Sequence, residues 1–89
     1  MPKAEISWKR VTDEGVKLQV YAQRVGSEWR FFQREKRFDQ WQRVEEPPLE
    51  DWMELLGAVQ RLITRRRLQP AHEKRLRGRI RERFPEVPL

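Results

Sequence analysis

Between residues 16 and 23, Val16, Leu18, Val20 and Ala22 alternate with Lys17, Gln19, Tyr21 and Gln23, the period of a half-buried strand. Asp13-Glu14-Gly15 before it fits a three-residue hairpin loop with glycine in the left-handed position, and Gly26-Ser27 after it fits a two-residue turn with glycine first. These turns fix a register. The first pairs Thr12 with Val16, and therefore Trp8 with Val20 and Ile6 with Ala22; the second pairs Ala22 with Phe31 and Tyr21 with Phe32. Three antiparallel strands are predicted at about 4–12, 16–25 and 28–36. Ile6, Trp8, Leu18, Val20, Trp29 and Phe31 share an apolar face. The opposite face carries Ser7, Lys9, Val11, Lys17, Gln19, Tyr21, Gln23, Arg30, Phe32, Arg34 and Lys36, provided that no bulge exchanges the two.

Further along, Phe38, Trp41 and Val44 recur at every third residue, which suits either an irregular segment or a short fourth strand over the core. Pro47-Pro48 breaks the chain and opens a helix, in whose first turn proline is tolerated. Leu49, Trp52, Met53, Leu56, Val59 and Ile63 fall on one helical face with Leu55 and Leu62 at its edge, and Gln69-Pro70 ends the helix. A second helix is predicted over about 70–84, with Leu76, Ile80 and Phe84 as its apolar stripe and Pro85 as its stop. Its Gly78 costs about 1 kcal/mol against alanine, so the helix depends on docking.

The expected fold is α+β: a three-stranded β-meander followed by two helices, one laid on the apolar face of the sheet. Eighty-nine residues are read as one small basic domain, with a strand region at about 4–46, two helices at 47–84 and loose ends at 1–4 and 85–89. Charged residues make up 38% of the chain, a fraction that would suit disorder. Four Trp, four Phe and one Tyr argue against it, because disordered chains are poor in aromatic residues.

Charge is distributed unevenly. Residues 61–83 hold ten basic side chains against only Glu73 and Glu82, a net charge of +8, whereas the whole chain carries +6. From 45 to 54 the sign reverses, with five carboxylates and no base. Such polarity points to an extended anionic partner. Acids at the start of the first helix (Glu50, Asp51, Glu54) and arginines at its end (Arg65, Arg66, Arg67) also complement the helix dipole. That explanation does not cover the second helix. There, Lys74, Arg75, Arg77, Arg79, Arg81 and Arg83 surround a narrow apolar stripe and repel one another unless internal acids or a partner offset them.

On the polar sheet face, Tyr21 and Phe32 lie side by side among Lys17, Arg30 and Arg34. Rings on an open sheet accept unpaired bases, although the strands-then-helices order departs from the RNA-recognition fold that interleaves them. The same pair stabilises a sheet on its own account. The tryptophans read as core and indole-edge positions. His72, the sole histidine, reads as a flank of the helix contact.

Absence of cysteine excludes disulfides and thiolate metal sites. No nucleophile–base pair, glycine-rich phosphate loop or H-E-x-x-H pattern is found, so the expectation is a non-enzyme with no cofactor, no metal and no small-molecule substrate. No apolar run reaches the length of a membrane span and no apolar leader is found, so a cytoplasmic location is expected. The leading expectation is a nucleic-acid-binding or ribonucleoprotein-associated module. Its contacts would be Arg65, Arg66, Arg67, Lys74, Arg75, Arg77, Arg79 and Arg81, with Arg30, Arg34, Tyr21 and Phe32 as a second area. The alternative is a protein-interaction module that uses the two oppositely charged segments, by self-association or with an acidic partner.

Overall fold

A computed structural model describes residues 5–89. It shows an antiparallel sheet followed by two helices: β1 (Glu5–Val11), β2 (Lys17–Val25), β3 (Glu28–Arg34), β4 (Gln42–Val44), α1 (Leu49–Thr64) and α2 (Pro70–Arg83). The expected α+β order is therefore present, with the short β4 added at the sheet edge. Residues 1–4, expected to be a loose end, lie outside the described residues. The chain forms two compact units, Met1–Pro47 and Pro48–Leu89.

In the first unit the strands run in the order β1-β2-β3-β4. Both turns act as their sequences dictate. Gly15 adopts φ +83°, Thr12 N–H donates to Val16 O at 2.8 Å, and the Thr12 hydroxyl accepts from Val16 N–H at 3.1 Å. Gly26 adopts φ +62° between β2 and β3, a value open to glycine at little cost. The register follows: Ile6 pairs with Ala22, Trp8 with Val20, Ala22 with Phe31 and Tyr21 with Phe32. Leu18, Val20, Ala22 and Phe31 are buried, and Trp8 meets Phe31 edge-on at 6.2 Å. The segment left open in sequence divides its side chains. Val44 pairs with Phe31 and is half-buried, whereas Phe38 stands in the β3–β4 turn at 93% exposure.

The second unit is a helical hairpin. From α1 it buries Trp52, Leu55, Leu56 and Val59, and from α2 Leu76 and Ile80. Each such aliphatic side chain contributes about 1.5–3 kcal/mol by leaving water. The buried stripe of α1 is rotated from the predicted one: Leu55 is fully buried rather than at the edge, and Met53 is exposed. Asp51 lies in the first turn, as a dipole partner would, and is buried at 1% exposure.

The end of α1 also differs from expectation. Arg65, Arg66 and Arg67 do not extend the helix but form its stop, with Arg66 N–H donating to Ile63 O at 2.9 Å and Arg67 N–H to Leu62 O at 2.8 Å. This is a Schellman cap. Its left-handed position is occupied by Arg66 at φ +59°, a conformation that costs a residue with a Cβ about 1–2 kcal/mol. At the chain end, Val87 N–H donates to Phe84 O at 3.0 Å, closing a turn just after α2.

Candidate functional site

The sequence nominates two areas, and the structure treats their cations differently. In the first unit, strand alternation puts Tyr21, Phe32 and Arg34 on the outer sheet face. Tyr21 and Phe32 are cross-strand partners whose rings stack on each other at 4.7 Å and 14°. Trp41, one residue before β4, joins them with its ring 4.6 Å from that of Tyr21 at 87°. The Arg34 guanidinium lies 4.1 Å from the centre of the Trp41 ring. Its Nε donates to Gln19 Oε1 at 2.8 Å, and Nη1 reaches Asp39 O at 3.4 Å.

The expected stacking pair is thus part of a three-ring cluster closed by Arg34. Arg34 links β2, Trp41 and the β3–β4 turn, so its guanidinium is engaged by the protein itself. Arg30 is exposed on the same face. Shallow depressions beside the cluster are lined by Glu5, Ser7, Tyr21 and Trp41, and by Ser7, Lys9, Gln19, Arg34 and Trp41. Trp41 is not among the sequence-predicted contacts, because the tryptophans read as core and indole-edge positions and its segment is open between an irregular stretch and a fourth strand. Strand parity could have found it: if Val44 faces the core opposite Phe31, then Arg43 and Trp41 face outward.

In the second unit the basic residues divide into three groups. Arg77 is half-buried and paired: its Nε donates to Glu73 Oε2 at 2.7 Å, and Gln60 of α1 donates to the same oxygen at 3.3 Å. The hydrogen bond from Arg77, reinforced by that from Gln60, holds the Glu73 carboxyl below its ordinary value against an opposing effect of desolvation. Glu73 therefore joins the two helices through Gln60, and Arg77 fixes its carboxylate. Arg83 lies over the Trp52 ring at 5.4 Å, and Arg79 is within 3.8 Å of Glu82.

The remaining cations are Arg61, Arg65, Arg66, Arg67, Lys74, Arg75 and Arg81. All seven are exposed and make no ion pair among the described residues. On α2, Lys74 and Arg81 are seven residues apart and share one side, away from Leu76 and Ile80. Arg75 lies on the other flank. Of the acidic segment, Glu45, Glu46, Glu50 and Glu54 are exposed and Asp51 alone among the five is buried.

No group of three or more potential metal ligands occurs among the described residues. No helix among them is long and apolar enough to cross a membrane. Comparison with protein-family models, with curated proteins and with solved structures returns no match.

Proposed function

We propose that this protein is a non-enzymatic nucleic-acid-binding module whose phosphate contacts come from α2 and the cap of α1. The observation that carries this reading is the set of seven exposed cations in one unit with no carboxylate partner among the described residues. Cations massed on one short helical hairpin repel each other, and a polyanion removes that repulsion while releasing its own counterions. Lys74, Arg75, Arg81 and the cap residues Arg65, Arg66 and Arg67 supply the contacts. Arg79 adds charge beside Glu82, and Arg77 is occupied by Glu73.

The test is fluorescence anisotropy with labelled single-stranded RNA, single-stranded DNA and duplex DNA, on the native chain and on the Lys74→Glu/Arg81→Glu variant. Both sites are exposed and, unlike Arg77, have no carboxylate partner among the described residues, and Arg81 Nε makes only a long bond of 3.4 Å to Arg77 O, so the melting temperature should stay unchanged. The native chain should bind with Kd of about 1–100 µM near physiological salt, and the variant at least about tenfold more weakly. Equal binding by the two would remove α2 as the contact. If the native chain binds no nucleic acid but its gel-filtration mass rises with concentration, the cations serve self-association instead.

A further inference from the structure

The most exposed large apolar side chain in the described structure is Phe38, at 93%. It does not sit on a loose loop. Asp39 N–H donates to Lys36 O at 2.9 Å, and the Asp39 carboxylate accepts from Lys36 N–H at 3.1 Å, so residues 36–39 form a closed turn. Arg34, itself fixed by Gln19 and by the Trp41 ring, reaches the carbonyl of Asp39 at 3.4 Å and ties the turn to the sheet. Lys36 and Arg37 precede the phenylalanine and are exposed. Asp39, the carboxylate nearest to Phe38 in sequence, is occupied in closing the turn.

A phenyl ring held out in water by a pinned turn contributes nothing to the core, and two adjacent cations narrow what could cover it. We propose that the Lys36-Arg37-Phe38 turn captures single-stranded nucleic acid: Phe38 stacks on an unpaired base while Lys36 and Arg37 meet the flanking phosphates. This rests on the nucleic-acid reading and deepens it by naming the strand state. The pairing of one free ring with two cations matches the way sequence-tolerant single-strand sites combine stacking with charge. The outer sheet face fits this role less well, since Tyr21 and Phe32 stack on each other and Arg34 covers Trp41. Arg34 acts as the positioning residue for the turn.

The experiment measures anisotropy with an unstructured labelled RNA or DNA strand and with duplex DNA, on the native chain, Phe38→Ala and Phe38→Trp. Phe38→Ala should weaken single-strand binding by roughly 5- to 150-fold with duplex affinity, salt dependence and melting temperature unchanged; Phe38→Trp should retain it. Single-strand binding within twofold of native in Phe38→Ala, with duplex binding present, would overturn the turn's role and leave the phosphate-binding reading standing. Absence of binding by the native chain to any of the nucleic acids would overturn both. Equal losses on single strand and duplex would also overturn the proposal, because a ring that stacks on unpaired bases has no reason to affect a duplex.

Discussion

The outer face of the sheet and the exposed surface of α2 are both basic, yet Arg34 at the centre of the first is held by its neighbours while three cations of the second are not. On the sheet, Arg34 stacks over Trp41 and bonds Gln19 and Asp39, within a cluster that already includes Tyr21 and Phe32. On α2, Lys74, Arg75 and Arg81 have neither a ring nor a carboxylate to hold them among the described residues. The difference follows from neighbours. A guanidinium beside π faces and amide oxygens gains from stacking and from rigid forked hydrogen bonds. A helix with six cations and two acids after residue 72 has too few partners to go round. Counting charges thus does not separate a guanidinium held by a ring and amide oxygens, such as Arg34, from an exposed cation with no such neighbour, such as Lys74.

Three substitutions sharpen this contrast, besides the charge reversal on α2 described above. Arg34→Ala should destabilise the protein by about 1–2 kcal/mol through the lost stacking and charged hydrogen bonds, with little change in the salt dependence of nucleic-acid binding. A large drop in that dependence without a loss of stability would reverse the assignment of the two surfaces. Gly78→Ala should stabilise by about 1 kcal/mol, because a Cβ there meets no atom within 4 Å. A melting temperature several degrees higher would show that α2 is limited by its own helical propensity, whereas no gain would place the limit elsewhere.

Glu73→Gln should have the smallest effect. The carboxyl of Glu73 is held more acidic in the folded protein by Arg77 and Gln60. Its stabilising contribution is therefore complete above the ordinary carboxylate range and is lost as pH falls through the depressed folded value. In thermal melts the variant should lie slightly below the native protein at neutral pH and converge with it in acid. A gap that is constant with pH would show that the pair acts by packing alone.

Much of the sheet was legible because its turns specify themselves. Gly15 and Gly26 at positive φ fix the two hairpins, and each pairing then follows by counting. The helices were legible as elements, less so in detail. The apolar residues of α1 span a wide arc, so periodicity could not say whether Leu55 or Met53 faces inward; packing decided for Leu55. Arginines at 65–67 read naturally as a last helical turn, and no glycine announced the cap that Arg66 makes in the left-handed region. Arg77 resembled every other cation on α2 until Gln60, seventeen residues earlier, was brought to the same Glu73 oxygen. Trp41 was legible only once Val44 is set opposite Phe31, and Phe38 stands in a turn where no period applies.

Engagement of a polyanion by the exposed cations of the helical hairpin would be read from the salt dependence of binding. Anisotropy titrations of the native protein from about 50 to 200 mM salt should give a straight line of log K against log salt, with a slope near −5 to −6 if all seven unpaired cations engage phosphates. A slope shallower than about −1, or no measurable binding at the lowest salt, would mean that these cations do not engage phosphates.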